Sequence, residues 1–185
     1  MLNDVYADAR DRMTKALETL EREYKRLRTG RASVSLVDGI RVEYYGNPTA
    51  LNQLATLTIP EPRTIMIQPW DTTIINEVEK AILKSELGLT PMNDGKVIRI
   101  SIPTLTQERR KELVQVIKKM AEEAKVAMRN IRRDTNEMLK DLKKEKEISE
   151  DEQFKAQDET QKITDDFIKK VDSVYSAKEK EILEI

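Results

Sequence analysis

The sequence contains no cysteine and no histidine. These absences exclude disulfides, thiolate or imidazole metal sites, and catalytic pairs in which histidine activates a nucleophile. Aromatic residues make up only 4% of the chain, so its core must be built from aliphatic side chains and methionine. No apolar run approaches the roughly 20 residues of a membrane-spanning helix, and the charged start "MLNDVYADARDRM" lacks the apolar stretch of a secretory signal. We therefore expect a cytoplasmic protein with no metal, no cofactor and no membrane partner.

Glycine and proline are also scarce, and their placement divides the chain. All six prolines and four of the five glycines lie between about 33 and 103. On both sides of this segment apolar residues recur every three or four positions, which predicts amphipathic helices. One stripe runs from Val5 to Leu27 before Gly30, and another runs from Leu113 to Leu142. Ser149 and Glu152 have the spacing of a capping box that starts a third helix.

Three such helices bury their stripes together most economically as an antiparallel three-helix bundle. We assign 1–30 and 105–185 to this bundle and 31–104 to an inserted β/α/β domain, which makes the fold class α+β. The chain passes between the two domains near 29–32 and 103–106. Gly30 and the Pro103-Thr104 pair make both crossings candidate hinges, and a rigid two-domain body is the alternative.

The inserted segment has the period and the turn residues of short strands around one helix. The pattern predicts a strand over 40–44 followed by a turn at Gly46-Asn47-Pro48. It predicts two further strands, within "ATLTIPEP" and "RTIMIQP", each stopped by proline. A helix within 73–88 is expected to end at Gly88, and a last strand is expected over 97–102.

The near-neutral total charge of −1 hides two helices of opposite sign. Segment 109–146 holds 13 basic and 7 acidic residues, a net charge of +6, whereas 147–185 holds 6 basic and 12 acidic residues, a net charge of −6. At 100° per residue, Arg129 and Arg133 lie within about 40° of one line along the helix, opposite an apolar stripe about 200° away. Arg132 lies about 60° from this line. Four lysines share the line: Lys111, Lys118, Lys125 and Lys140.

A row of cations of this kind is typical of a surface that binds the phosphates of a nucleic acid. It is also typical of a solvated helix face on which charges pair with neighbours one turn away. The charge pattern alone leaves both interpretations open. No base-reading motif is present, so the nucleic-acid interpretation predicts binding to RNA backbone and shape.

Longer motifs point to one family. They are "LRTGRAS", "VEYYGNPT", "SELGLTP", "PTLTQERRKELV", "AKVAMRNIRRDTN" and "DEQFKAQDETQKITDDFIKKVD". In combination they resemble the bacterial ribosome recycling factor family, from the first helix to the last. One departure is Ala50, where the family commonly has proline; this chain has Pro48 two residues earlier.

The resemblance implies an L-shaped, non-enzymatic and monomeric protein whose bundle and β/α/β domain are joined by a hinge. It implies binding between the ribosomal subunits after termination, with the bundle against large-subunit rRNA and the inter-subunit bridge region. With elongation factor G and GTP, the ribosome is then split into subunits, which initiation factor 3 helps to keep apart.

The resemblance also assigns site residues by motif. The rRNA-binding residues it implies are Arg132, Arg129, Arg133, Arg110, Asn130, Arg28 and Lys25. The hinge residues it implies are Gly30, Arg31, Pro103, Thr104, Leu105 and Thr106.

Two rival functions remain. A helical chaperone or adaptor without an RNA partner would tolerate neutralisation of the basic face. An enzyme housed in the inserted domain would need its carboxylates, among them Asp71, Glu77 and Glu79, but no motif arranges them for catalysis.

Overall fold

The computed structural model describes residues 1–184, which fold as two compact units. The first unit contains 1–29 and 106–184, and the second contains 30–105. Long helices form the first unit, whereas the second combines short strands with one α-helix. The predicted α+β class is therefore confirmed.

Three helices build the first unit: α1 (Leu2–Arg26), α3 (Gln107–Lys144) and α4 (Glu150–Leu183). The side chain of Thr106 caps α3 by accepting from the Arg109 amide. Ser149 and Glu152 form the predicted capping box at the start of α4, in which each side chain accepts from the other residue's backbone amide. These caps satisfy amides that the first turn of a helix leaves without partners.

Cross-helix contacts fix the directions of the three helices. Arg12 in α1 is 2.6 Å from Asp134, and the Tyr24 hydroxyl donates to the Ile117 carbonyl, so α1 runs antiparallel to α3. A tight connection over 145–149 returns the chain along α3 in the opposite direction. The result is a three-helix bundle in which α1 and α4 run in one direction and α3 runs in the other.

The interior of the bundle is mainly aliphatic but contains three fully buried threonines. The hydroxyls of Thr135, Thr160 and Thr164 each donate to the backbone carbonyl four residues earlier. This local bond satisfies the buried hydroxyl, so a small polar side chain can stand where α3 and α4 pack.

The second unit contains a two-stranded hairpin and a four-stranded sheet, and every neighbouring strand pair is antiparallel. The hairpin pairs β1 (Arg41–Tyr44) with β2 (Asn47–Ala50). The sheet has the order β3-β4-β6-β5, and its strands are Ala55–Glu61, Thr64–Pro69, Ile98–Ser101 and Pro91–Asn93 in that order.

One face of this sheet supplies the core of the second unit. Ile65, Ile67, Ile98 and Ile100 alternate along β4 and β6 and are fully buried. Helix α2 (Ile75–Lys84) adds its own apolar face to the same cluster. The alternation follows from the period of two along a strand, which sends every second side chain to the same face.

One predicted strand feature, the position of the hairpin turn, is wrong because a proline lies inside a strand. The hairpin turn lies at Tyr45-Gly46, where φ is +48° and +79°, and Asn47 and Pro48 already belong to β2. Strand β3 continues past Pro60 through a register shift between Thr58 and Glu61 and ends directly before Pro62, and β4 ends at Pro69, so both strands end at a proline as predicted. A hairpin strand with a free edge and a bulge are both places where the missing amide of proline is tolerated.

Two further differences from the prediction concern the end of helix α2 and the presence of strand β5. Helix α2 ends at Lys84, four residues before Gly88, because Ser85 takes an extended conformation. Strand β5 was not predicted, because its three residues are too short to show a period in the sequence.

Candidate nucleic-acid interface

The predicted basic segment lies in the middle of α3. Arg133 and Asn130 are exposed there, and Arg129 and Arg132 are half-buried. Within residues 1–184, none of the three guanidinium groups has a carboxylate oxygen within 4.0 Å. The adjacent Asp134 is directed to α1, where it pairs with Arg12. The three arginines therefore keep uncompensated positive charge at the surface.

The buried face of α3 is rotated from the predicted one. Its buried residues are Leu113, Ile117, Ala121, Met128, Ile131, Thr135 and Leu139. At 100° per residue they centre about 240° from Arg129, so the rotation from the predicted 200° is about 40°. Met138 was predicted to be in the core but is 41% exposed. The rotation arises because Ala121, Met128 and Leu139 are buried and lie at about 260–280° from Arg129.

This rotation corrects the placement of Arg132. Its direction lies only about 60° from the centre of the buried face, so its side chain runs along the boundary with α4. There the Arg132 guanidinium donates to Oε1 of Gln161 at 2.9 Å, and Nε2 of Gln161 donates to Oδ1 of Asp165 at 2.8 Å. Arg132 is thus held in place by a neutral amide.

Lys125 was part of the predicted cationic line, but its charge is compensated. Its ammonium lies 2.6 Å from Asp172 and 3.5 Å from Glu122. The hydrogen bond with Asp172 raises the pKa of Lys125 above its ordinary value despite opposing desolvation. The candidate surface therefore rests on the arginines and not on this lysine.

The remaining predicted rRNA-binding residues lie elsewhere along the bundle. Lys25 and Arg28 are exposed beyond Tyr24, and the bond from Tyr24 to Ile117 places that end of α1 beside the first third of α3. Arg110 is half-buried and lies about 28 Å along the helix from Arg129, at 1.5 Å per residue. The structure therefore brings Arg129, Asn130, Arg132 and Arg133 together and leaves Arg110, Lys25 and Arg28 in a separate region.

Arg110 is partly engaged by the bundle itself. Its guanidinium lies 3.5 Å from the carbonyl of Leu183, at the end of α4, while its Nε is buried without a partner among residues 1–184. A cation near the last carbonyls of a helix interacts favourably with the negative end of the helix dipole.

Both predicted hinge segments are bonded to the β3–β4 turn within the second unit. The Ala32 amide donates to the Pro62 carbonyl, and the Ile102 amide donates to the Arg63 carbonyl, each at 2.8 Å. The Arg63 guanidinium also donates to the Thr104 hydroxyl at 2.6 Å. Two further predicted hinge residues, Arg31 and Pro103, are exposed.

Gly30 and Leu105 are neighbours in the same unit. Gly30 has φ of +80°, and a Cβ at this position would lie 3.2 Å from Cγ of Leu105. On the bundle side, Thr29 is buried and donates to Glu181 at 2.8 Å, and Thr106 caps α3. The chain is therefore anchored immediately before and after each predicted pivot.

The carboxylates considered for an enzyme have local partners. Asp71 accepts from the backbone and hydroxyl of Thr73, which lowers its pKa from 3.8. Glu77 pairs with Lys80, and Glu79 accepts from Asn93. Across residues 1–184, no cluster of acidic side chains is arranged to hold a metal ion. In the same part of the chain, no helix combines the length and the hydropathy of a membrane span.

A family model described as ribosome recycling factor matches residues 20–183. The chain belongs to the ribosome recycling factor family. This confirms the resemblance carried by the sequence motifs. The family consists of non-enzymatic translation factors, so the enzyme interpretation of the inserted domain is set aside.

Individual relatives cover the whole chain. The ribosome-recycling factor of Syntrophobacter fumaroxidans is 83% identical over 185 residues, which is 100% of both chains. A solution structure of the ribosome recycling factor is 44% identical, with a TM-score of 0.75, and the match covers 100% of this chain and 98% of that one.

A second structure is a set of models of the T. thermophilus ribosome recycling factor and E. coli elongation factor G bound to the E. coli post-termination complex. That chain is 50% identical to this one, with a TM-score of 0.64 and 99% coverage of both.

Sequence reasoning did not identify Gln161 and Asp165. Their i, i+4 spacing places them on one face of α4, but many pairs in the helix share that spacing. Only the register between α3 and α4 shows that Gln161 of this pair meets Arg132.

Proposed function

We propose that this chain binds the post-termination ribosome in the cytoplasm and, with elongation factor G and GTP, separates it into subunits. Initiation factor 3 then helps to keep the subunits apart. The family membership and the solved relative bound with elongation factor G support the first part of this proposal. The chemistry of α3 supports the more specific part, which is contact with large-subunit rRNA near the inter-subunit bridges.

The observation that carries the rRNA contact is the uncompensated charge of Arg129, Arg132 and Arg133. Elsewhere in the bundle Arg12 and Arg109 lie 2.6 and 2.9 Å from carboxylates, whereas these three have no such partner within residues 1–184. A planar guanidinium can grip phosphate oxygens with two parallel hydrogen bonds, which suits recognition of an RNA backbone. We assign Asn130 to the same contact and Arg110, Lys25 and Arg28 to a second contact near the chain crossings.

The mechanical part of the proposal depends on stiffness. Helix α3 has 38 residues and therefore extends about 57 Å, and it packs on two partner helices. A packed bundle resists bending, so a push delivered at one end is carried to the RNA-bound region. Segments 29–32 and 103–106 act as the hinges about which 31–104 swings. This division of roles explains how hydrolysis in a separate GTPase could displace a bridge between subunits.

The experiment compares Arg132→Ala with the full-length parent protein in binding and in splitting of post-termination ribosomes. We expect ribosome affinity to fall by about 1–3 kcal/mol, the loss typical of a charge-assisted contact. The thermal midpoint should change little, because the side chain lies at the edge of the core. Splitting, measured by sedimentation with elongation factor G and GTP, should slow in parallel at limiting protein concentration.

Arg22→Ala is the matched control. It removes the same charge from α1, where Arg22 is exposed and bonded only to the neighbouring Thr19 among residues 1–184. Equal loss of affinity in both variants would show that net charge matters and that the α3 surface does not. Unchanged affinity in Arg132→Ala would favour an adaptor without an RNA partner.

A further inference from the structure

Gln161 on α4 holds Arg132 in a geometry that few other side chains could reproduce. The Arg132 guanidinium donates to the amide oxygen at 2.9 Å, while the amide nitrogen donates to Asp165 at 2.8 Å. Guanidinium groups only donate and carboxylates only accept, so these two partners together fix which way the amide points. The three side chains form a chain in which the amide separates the cation from the carboxylate.

The acidity of α4 makes the neutral partner informative. The segment 147–185 carries a net charge of −6, so an arginine that reaches this helix would commonly meet a carboxylate. Three other bundle cations do so: Arg10 lies 3.6 Å from Glu159, Lys125 lies 2.6 Å from Asp172, and Lys143 lies 3.5 Å from Glu150. Along α3 and α4 the contact of Arg132 lies between those of Lys125 and Lys143, yet its partner on α4 is an amide.

The consequence for binding follows from two separate effects. An arginine side chain is flexible, and fixing it in advance reduces the conformational entropy lost when it binds. A carboxylate partner would also fix it but would compete with phosphate for the same donors. An amide accepts one hydrogen bond and leaves the formal charge and the remaining donors available.

We propose that Gln161 is a positioning residue for the nucleic-acid contact of Arg132, with Asp165 orienting its amide, and that its neutrality is required. This inference rests on the proposed function, because it assumes that Arg132 contacts phosphate. The prediction is that the chemistry at position 161 sets ribosome affinity through Arg132 alone.

The experiment measures equilibrium binding of full-length variants to vacant ribosomes at several salt concentrations. Gln161→Glu converts the hydrogen bond between Arg132 and residue 161, here called the tether, into an ion pair. We expect its ribosome affinity to fall about tenfold. We also expect the slope of log affinity against log salt concentration to fall in magnitude by up to ~0.9, the value for one duplex DNA phosphate contact. For Gln161→Met, which keeps the length but removes the amide, we expect a loss of about threefold with an unchanged slope, because the charge stays free.

Gln157→Glu is the matched control, since it introduces the same charge into α4 one turn earlier and leaves the tether intact. It should weaken binding by less than about twofold. In an Arg132→Ala background, Gln161→Glu should have no further effect, because residues that act through one contact are not additive. Thermal melts should stay close to the parent for every variant, which separates positioning from folding.

The outcomes distinguish this inference from the function on which it rests. If Arg132→Ala weakens binding but Gln161→Glu behaves like Gln157→Glu, the positioning role is wrong and the RNA contact stands. If the variant carrying both Arg132→Ala and Gln161→Glu loses affinity by the product of the two single losses, the positioning role is also wrong. If Arg132→Ala binds like the parent, both ideas are wrong.

Discussion

At the scale of single residues, the bundle contains polar groups whose role is to fix packing and not to bind a partner. Tyr24 is the strongest example. Its ring is 3% exposed, and its hydroxyl donates to the Ile117 carbonyl across the α1–α3 interface at 2.6 Å. Burial, together with the nearby Tyr175, raises the pKa of Tyr24 from 10.0 to about 12. The hydroxyl therefore has a partner in the neutral form and an unfavourable environment for the phenolate.

We expect Tyr24→Phe to lower the free energy of unfolding by about 1 kcal/mol at neutral pH, the typical contribution of one hydrogen bond. The parent should lose stability as pH rises from 10.0 towards about 12, because the unfolded chain ionises first while the folded chain keeps its proton. Tyr24→Phe has no hydroxyl to ionise at this position, so its free energy of unfolding should fall less over this pH range. Urea unfolding across that pH range measures both effects.

Tyr45→Phe is the control, because Tyr45 is 79% exposed at the hairpin turn. It should leave both the neutral-pH stability and the alkaline loss unchanged. Identical alkaline curves for Tyr24→Phe and the parent would show that the Tyr24 proton is not linked to folding.

At the scale of secondary structure elements, the start of α4 depends on a local exchange of hydrogen bonds. The Glu152 carboxylate accepts from the amide and the hydroxyl of Ser149, at 2.7 and 2.8 Å, and these bonds lower the pKa of Glu152 below 4.5. A lowered carboxyl pKa means that the stabilisation is present above the unfolded pKa and is lost as pH falls through the folded value.

We therefore expect Glu152→Ala to melt at a lower temperature than the parent at neutral pH. The difference should shrink as the solution is acidified below pH 4.5, because the carboxyl group of the parent becomes protonated as the pH falls through its lowered pKa. Asp151→Ala is the control: it removes another acid from the same first turn but leaves the capping box intact. A pH-independent difference for Glu152→Ala would mean that the side chain acts by packing.

The elements also show which parts of the molecule a sequence can reveal. The bundle helices were predicted because a 3.6-residue period persists through α3 and α4 and because Ser149 and Glu152 have the spacing of a capping box. Strand β2 was not predicted, because its start at Asn47-Pro48 has the composition of a turn, and β5 was not predicted, because three residues are too short to show a period.

The candidate site also contains residues that the sequence could predict and residues that it could not. Arg129 and Arg133 could be proposed from their spacing on one helix and from the family motif that contains them. The tether from Arg132 to Gln161 joins residues 29 positions apart on different helices, and it depends on a register that is set by packing. The buried Thr135 is likewise polar in the sequence but satisfied within its own helix.

At the scale of the whole molecule, the chain connects two units through short segments whose ends are fixed. Thr29 and Thr106 are bonded within the bundle unit, and Ala32 and Ile102 are bonded within the other. Rotation of the backbone is therefore confined to a few residues on each connection. This arrangement supports the proposal that the second unit moves as a body about two short pivots.

We expect Gly30→Ala to slow splitting of post-termination ribosomes severalfold while it changes ribosome affinity by less than about twofold. With φ of +80°, alanine costs about 1 kcal/mol at this position, and its Cβ meets Leu105 at 3.2 Å. Both effects perturb the pivot and leave the arginines of α3 untouched.

Gly46→Ala is the matched control, because Gly46 has φ of +79° with no heavy atom within 4 Å of the added Cβ, and it lies away from both connections in the chain. Rapid kinetics of subunit separation with elongation factor G and GTP should show a defect for position 30 alone. If the two variants lose the same stability and slow splitting equally, the defect is one of folding, and the pivot at Gly30 has no special part in the reaction.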